Sequence, residues 1–303
     1  MSPKRRSLIV IAGPTASGKS KMAVDLARTY NGEIISADSR QVYKDTPIAT
    51  DVISAEEMRG IKHHLLEIVP LDHHFTAAEY QQKANEHIKN IQADKRLPFL
   101  VGGTGLYIRS IVEGYSLAGG VIDEKLRKKL QKKPLDKLVK MLEKKDPDAA
   151  ASIDIANHRR VMRALEVVIN SNKPLQTQQK TNPPDYPILQ LAIDFPRPEL
   201  YQRINQRVDE QVEKGLEREL RALYDKYGYE RLFELGLCYR QFARHFKGEI
   251  DRTQAIGLTK RDTRRLAKRQ LTWLRSDPKI KWIRTRRDAA YLIRAFLEKY
   301  RIQ

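Results

Sequence analysis

Residues 13–20 have the sequence Gly-Pro-Thr-Ala-Ser-Gly-Lys-Ser and directly follow the apolar run Leu8–Ala12. They fit the phosphate-loop pattern G-x-x-x-x-G-K-[ST] at every fixed position. Glycines at both ends let the backbone curl, so that successive N–H groups point at an anion. The positive charge of the lysine adds to this attraction, and the last serine can hold a magnesium ion. The predicted phosphate-binding residues are Gly13, Thr15, Ala16, Ser17, Gly18, Lys19 and Ser20.

The first third of the chain alternates between strand and helix patterns. The predicted strands are Leu8–Ala12, Glu33–Ala37, His64–Ile68 and Pro98–Val101, and the predicted helices are 19–30 and Ala77–Ala93. This alternation implies a parallel sheet with helices on both faces, and ligands at the carboxyl ends of the strands. The helix that follows the phosphate loop adds a dipole that favours phosphate.

The pattern changes near Gly114–Gly120. Residues 123–170 have a helical pattern that is dense in lysine, and a proline-rich polar linker follows at 172–187. Strand character returns at 188–195, followed by predicted helices at 198–227 and 252–274 and a last strand at 281–284. We therefore expect an α/β fold: a P-loop NTPase-like core at 1–115 and 188–303, with an all-helical domain inserted at 116–187.

The composition describes a basic globular chain. It has 303 residues, 41% of them hydrophobic, and a formal net charge of +19 at pH 7. Such an excess favours a polyanionic partner, with nucleic acid first and an anionic membrane surface second. Cys238 is the only cysteine, and no run approaches the roughly 20 apolar residues of a membrane span. We expect a cytoplasmic protein that acts as a monomer and away from membranes.

Two further segments fall at the predicted ligand edge of the sheet. Asp38 ends the second predicted strand, where a carboxylate can hold magnesium or accept a proton as a general base. Ser39, Arg40 and Gln41 follow it with donors suited to base edges or phosphates. Three glycines within residues 102–105 imply that another group approaches the backbone closely there.

Several arginines are spaced for one face of a helix. Arg159, Arg160 and Arg163 lie in the inserted segment, and Arg203 and Arg207 share a stripe from which either can reach a diphosphate. A further basic cluster surrounds Trp273, and its members are Arg261, Arg264, Arg265, Lys268, Arg269 and Arg275. Repeated arginines beside an aromatic side chain favour an RNA partner over a protein partner.

Together these motifs resemble the tRNA dimethylallyltransferases, also called tRNA isopentenyltransferases, of the bacterial type. The resemblance spans nearly the whole chain in order. The matching segments are GPTASGKS at 13–20, SADSRQVY at 36–43, HHLLEI at 63–68, GGTGLY at 102–107, RALEV at 163–167, RINQRV at 203–208 and TRRLAKRQLTWLR at 263–275. The chain differs from the family at Cys238, where glycine is usual.

The resemblance implies the transfer of a dimethylallyl group from dimethylallyl diphosphate to N6 of the adenine just 3′ of the anticodon in tRNAs. It implies that Asp38 is the base and that Lys19, Ser20 and Arg207 meet the diphosphate, with Mg²⁺ near Ser20. The implied catalytic residues are Asp38 and Arg207. The implied tRNA contacts are Asp38, Ser39, Arg40, Gln41, Thr104, Arg127, Arg159, Arg160, Arg163, Tyr239 and Arg240.

Two other functions use the same residues. A nucleotide or small-molecule kinase would place ATP on the phosphate loop, with Asp38 and Asp194 at the metal or the hydroxyl group. A non-catalytic RNA-binding GTPase-like or ATPase-like module would use the loop as a switch. The positive charge and the separate arginine helices argue against a kinase, because a small substrate needs neither of them.

Overall fold

The computed structural model describes residues 6–115, 123–175 and 181–301. The chain divides into two compact units, Met1–Ile108 with Asp185–Gln303, and Arg109–Pro184. Residues 116–122 and 176–180, where the sequence places the start of the inserted domain and part of the linker, lie outside the described residues. None of the described helices is both long and apolar enough to cross a membrane.

The first unit is built around a parallel sheet. Its strands in the described residues are β1 (Leu8–Ala12), β2 (Gly32–Ala37), β3 (His63–His64), β4 (Leu97–Gly102), β5 (Ile188–Ile193) and β6 (Lys281–Ile283). The order across the sheet is β3-β2-β4-β1-β5-β6, and every pairing is parallel. Strands β1, β2 and β4 are buried along their whole length, as continuous apolar strands between two helical layers should be. The predicted α/β fold class is confirmed.

Helices follow most of these strands. Those of the first unit are α1 (Lys19–Thr29), α2 (Pro47–Thr50), α3 (Ala55–Met58), α4 (Ala77–Ala93), α5 (Gly105–Val112, which continues into the second unit), α10 (Arg197–Glu213), α11 (Leu216–Leu235), α12 (Leu237–Phe246), α13 (Arg252–Ser276) and α14 (Arg286–Lys299). Capping boxes fix the start of α4 at Thr76 and of α13 at Asp251. In each box a side chain accepts from the third residue of the helix, whose own side chain bonds back.

The second unit is helical in its described residues. It contains α6 (Glu124–Gln131), α7 (Leu135–Lys145), α8 (Pro147–Ser152) and α9 (His158–Ser171). Leu138, Leu142, Val161 and Leu165 are among the buried residues of its apolar core, and the lysines of α6 and α7 are exposed to solvent. An apolar core under a lysine-rich face is the pattern of an amphipathic helical unit.

The structure corrects three of the predicted boundaries. The strand predicted at 64–68 ends at His64, because Leu65 and Glu67 have φ angles of +62° and +49°. The single helix predicted at 198–227 is two helices that meet at Gly215, whose φ of +99° suits glycine alone. The strand predicted at 188–195 stops at Ile193, shortly before Pro196, which has no N–H to donate to a neighbouring strand.

Candidate active site

Strand register brings three sequence motifs to one edge of the sheet. Ala12 of β1 and Ala37 of β2 both align with Gly102 of β4. The phosphate loop, Asp38 and Gly103 therefore begin at the same level, each at the carboxyl end of a buried strand. This edge is where ligands bind in parallel α/β sheets.

The phosphate loop has the backbone form that its motif requires. Gly18 has a φ of +82° at the start of α1, and Ala16 also has a positive φ, of +63°. The Ser17 hydroxyl is buried and has no hydrogen-bond partner among the described residues. A buried hydroxyl without a partner is costly, so this group points to a ligand oxygen that completes the loop.

Lys19 belongs to the phosphate-loop motif and is the first residue of α1. Burial lowers the pKa of its ammonium group, and nearby Arg207 lowers it further, while the carboxylate of Asp38 acts in the opposite direction. An anion bound at this point would restore much of the solvation that the charged lysine has lost. The lysine is therefore arranged for a negatively charged ligand.

Arg207 reaches the loop from α10. Its Nη2 donates to the Thr15 hydroxyl at 2.6 Å and its Nη1 to a carboxylate oxygen of Asp51 at 3.2 Å. Its Nε is buried, and no group in the part of the chain that the structure describes accepts from it. Of the two arginines on the predicted stripe, Arg203 instead has its guanidinium 4.6 Å from the centre of the Phe195 ring. Arg207 is the one at the phosphate loop.

Asp38 lies within electrostatic range of Lys19, at the start of a tight turn. Its Oδ1 accepts a hydrogen bond from the Arg40 backbone N–H at 2.8 Å, which leaves its other oxygen for a substrate. The Gln41 side chain accepts from the Ser36 hydroxyl and donates to the carbonyl of Asp51 at 3.2 Å. Side chains 38–41 are all partly exposed, so they are accessible to a ligand at this edge.

The glycine-rich segment after β4 touches both neighbouring motifs. The Thr104 hydroxyl accepts from the Ser39 N–H at 3.0 Å, and Gln270 of α13 donates to the Gly103 carbonyl at 3.0 Å. The same Gln270 side chain accepts from the Thr15 N–H at 2.9 Å. A Cβ at Gly103 or Gly105 would collide with α13, at 2.3 Å from the Gln270 amide nitrogen and 2.7 Å from the Trp273 ring. A Cβ at Gly102 would lie 2.2 Å from the Ala37 carbonyl oxygen of β2. The close approach predicted for these glycines is therefore a contact with the neighbouring strand and with another helix.

A pair of tyrosines lies beneath Asp38. The rings of Tyr80 and Tyr107 are stacked with centroids 3.8 Å apart, and the Tyr80 hydroxyl donates to the Ser36 carbonyl at 3.0 Å. Burial raises the pKa of both phenols, with a further contribution from the nearby Asp38 carboxylate. Both therefore stay protonated and serve as a rigid floor for the turn.

In the second unit two predicted RNA contacts share a buried carboxylate. Arg127 donates to both oxygens of Glu166 at 2.7 and 3.0 Å, and Arg163 donates to one of them at 3.2 Å. Burial alone would raise the pKa of Glu166, but the hydrogen bonds from the two arginines outweigh it and lower the pKa. Arg159 and Arg160 are exposed on the same helix. Arg159 and Arg163 are four residues apart on α9, so they share one face of the helix.

The segment 235–240 places its residues at different depths. Tyr239 is only 1% exposed, and Arg240 is partly exposed with its guanidinium 4.7 Å from the centre of the Phe233 ring. The positive φ angles of this segment fall on Gly236 and Leu237, at +75° and +48°. Cys238 lies inside α12 and needs no glycine conformation. Burial raises the pKa of its thiol to about 12, so the thiol is unreactive.

Among the described residues, no three His, Cys, Asp or Glu side chains form a group that could hold a metal ion. A magnesium ion on a phosphate loop draws most of its oxygen ligands from phosphates and water, so a single protein hydroxyl is a sufficient anchor. Ser20, next to Lys19, remains the predicted source of that hydroxyl. His64 of β3 forms a hydrogen bond with Glu33 of β2 at 2.7 Å.

Three side chains at these sites carried no signal of their own in the sequence. Gln270 connects two loops from a helix more than 160 residues away, and Asp51 pairs with Arg207 from a segment that had no motif. Glu166 lies inside the RALEV segment but looks like an ordinary helical glutamate. Only its burial shows that it organises two arginines.

Comparisons with known proteins agree on one family. Residues 41–277 match the family described as IPP transferase. The tRNA dimethylallyltransferase of Carboxydothermus hydrogenoformans is 43% identical over 282 residues, which cover 91% of each chain. The solved tRNA isopentenylpyrophosphate transferase of Bacillus halodurans has a TM-score of 0.74 at 37% identity, with 98% of each chain covered. A eukaryotic dimethylallyltransferase acting on tRNA has a TM-score of 0.77 at 29% identity and covers 89% of this chain and 70% of its own. The resemblance that the motifs indicate is confirmed.

Proposed function

The chain belongs to the IPP transferase family, and on that basis we propose that it transfers the dimethylallyl group of dimethylallyl diphosphate to N6 of the adenine just 3′ of the anticodon in tRNA. The observation that carries the proposal is the strand register. It puts a phosphate-binding loop and the Asp38 carboxylate side by side at the ends of β1 and β2. Prenyl transfer to an amine needs both.

The reaction forms a bond between N6 and the allylic carbon and breaks the bond from that carbon to the diphosphate oxygen. The N6 lone pair is delocalised into the purine ring, so the amine is a poor nucleophile until its proton is removed. Asp38 takes that proton as the general base. The adenine must leave the stack of the anticodon loop to reach it, as for other enzymes that modify bases.

The departing diphosphate takes the bonding electron pair and gains negative charge as the bond breaks. Lys19, Arg207 and the loop N–H groups are aimed at that charge. The buried Ser17 hydroxyl and Arg207 Nε, which have no partner within residues 6–115, 123–175 and 181–301, supply two further donors. Donors fixed in advance stabilise the developing charge more than they stabilise the substrate. Mg²⁺ held by Ser20 would neutralise part of the same charge.

Binding of tRNA involves basic surfaces of both units. In the first unit we assign Ser39, Arg40, Gln41, Thr104 and the segment that contains Tyr239 and Arg240. Because Tyr239 is buried, Arg240 provides the side-chain contact there. In the second unit, taken as the inserted tRNA-binding domain, we assign Arg127, Arg159, Arg160 and Arg163. We further propose a cytoplasmic monomer, in keeping with a tRNA substrate and the small diphosphate.

Arg159→Ala tests the basic surface of the second unit. Arg159 is exposed on α9, so its loss should leave the fold intact and remove one phosphate contact. We expect weaker tRNA binding, and a salt dependence of log K that is less steep by about one unit. At saturating tRNA the transfer rate should be unchanged. Arg294→Ala, an equal charge change at an exposed site on α14, should affect neither quantity; equal losses for both variants would contradict the assignment.

The reaction itself is tested with purified protein and unmodified tRNA. Dimethylallyl diphosphate and ATP are supplied in separate reactions, and the tRNA is digested to nucleosides for mass spectrometry. We expect a dimethylallyl group on one adenosine with dimethylallyl diphosphate and none with ATP. One diphosphate should be released for each group transferred. ATP consumption or phosphate transfer without prenylation would support the kinase, and binding without either reaction would support the non-catalytic module.

A further inference from the structure

Each terminal nitrogen of Arg207 already donates one N–H group to the protein. Thr15 accepts from one of them, and the Asp51 carboxylate accepts from the other at 3.2 Å. A diphosphate on the phosphate loop could use the remaining N–H groups, but it would meet the negative charge of Asp51 on the same guanidinium group. It gains the full charge of this arginine only when the carboxylate moves away.

The backbone that carries Asp51 is fastened by three side chains. Glu219 accepts from the N–H groups of Ile48 and Ala49 at 2.8 and 2.9 Å, and Gln211 donates to the Ile48 carbonyl at 2.6 Å. At the far end Gln41 donates to the Asp51 carbonyl. The segment as a whole is therefore anchored on two helices and on the turn after β2.

The carboxylate of Asp51 is less constrained than its backbone. Its side chain is 52% exposed, and that of Arg207 is 23% exposed. An ion pair of this exposure is weak. The Asp51 side chain can thus rotate towards solvent when a stronger anion arrives, without movement of the anchored segment.

We propose that Asp51 competes with the diphosphate group for Arg207 and so weakens the binding of the diphosphate product. This inference rests on the proposed function, because it takes the phosphate loop as a diphosphate site. A leaving group held by a lysine, an arginine and a magnesium ion would otherwise dissociate slowly. A carboxylate that reclaims the arginine lowers the affinity for the product after the carbon fragment has gone.

The position also argues against a purely structural role for the carboxylate. Asp51 has a φ of +53°, a conformation for which asparagine serves as well as aspartate. The hydrogen bonds of Glu219 and Gln211 are made with the backbone of Ile48 and Ala49 and do not involve the Asp51 carboxylate. The charge can therefore be removed while the segment keeps its anchors.

Asp51→Asn is the test, with inorganic diphosphate as the probe and isothermal titration calorimetry as the measurement. We expect the dissociation constant to fall about two- to five-fold, the range for a partly exposed ion pair. Diphosphate should also inhibit transfer at correspondingly lower concentration. The matched control is Asp25→Asn, which makes the same charge change in the 260 Å³ cavity that Asp51 also lines. Asp25 pairs with Arg59 at 2.9 Å. The affinity of Asp25→Asn for diphosphate should therefore stay near that of wild type.

A double-mutant cycle separates competition from a general charge effect. The gain from Asp51→Asn should disappear in an Arg207→Gln background, because the contested donor is then absent. Weaker or unchanged binding in Asp51→Asn, an equal gain in Asp25→Asn, or a gain that survives Arg207→Gln would overturn the inference. If the wild-type protein transfers the group but Asp51→Asn binds diphosphate no more tightly, this inference alone is refuted. Wild-type protein that does not bind diphosphate refutes the proposed function as well.

Discussion

Replacement of Asp38 by asparagine is expected to lower the rate of transfer by about 10²–10⁴-fold, the usual contribution of a general base. Asparagine has the same shape and can still accept the hydrogen bond from the Arg40 N–H, so the turn after β2 should keep its conformation. It cannot take the N6 proton. The affinity for tRNA should therefore change little, and single-turnover rates with saturating tRNA and donor measure the chemical step directly.

The matched control for Asp38 is Asp45→Asn, an equal charge change at an exposed position of the same connection between β2 and β3. Its transfer rate should remain close to that of wild type. A fall in tRNA affinity that fully accounts for the lost product would make Asp38 a binding residue. An Asp38→Asn variant that transferred the group at the wild-type rate would remove the base from the mechanism.

The phosphate loop has a different chemical meaning here from its usual one. Read alone, GPTASGKS indicates a nucleotide that loses or donates a phosphate. Under the proposed function, with Asp38 and Arg207 beside it, the loop holds a leaving diphosphate, and the carbon fragment is what is transferred. The distinction rests on what faces the loop, since the backbone donors suit any pair of linked phosphates.

The parts of the fold predicted from sequence are those set by local chemistry. Periodicity predicted α4 at its observed bounds, and apolar runs predicted β1 and β2 to within one residue. Because parallel strands share an edge, the proximity of the phosphate loop and Asp38 also followed from their positions after those strands. Gly215 shows the limit: its backbone break lies within an otherwise helical pattern.

Contacts between distant segments could not be predicted in the same way. Gln270 bonds to Thr15 and Gly103 because α13 packs across the sheet edge, and no property of a glutamine within a helix indicates this. The pairing of Asp51 with Arg207 depends on how α10 lies against the connection after β2. Glu166 binds two arginines only because it is buried between their helices. Each contact is decided by tertiary packing, which composition and spacing do not encode.

Replacement of Lys19 by methionine is expected to reduce transfer by about 10²–10³-fold, as when one preorganised donor to a developing charge is lost. The same change should raise the thermal midpoint of the free protein. Burial lowers the pKa of Lys19 in the folded state, so the charged lysine opposes folding below its unfolded pKa. Methionine keeps the length of the side chain and removes that cost. Activity and stability should therefore move in opposite directions.

The pH dependence of the stability difference between Lys19→Met and wild type distinguishes a charge effect from a packing effect. As pH rises through the lowered pKa of folded Lys19, wild type sheds the buried charge and gains stability, because the unfolded chain still binds the proton. The stability advantage of Lys19→Met should therefore shrink with rising pH in thermal melts. Lys21→Met, the same change at an exposed position of α1, should show neither the advantage nor its pH dependence. An advantage of constant size across that range would mean that methionine merely packs better, and Lys19 would then not be a charge held ready for the diphosphate.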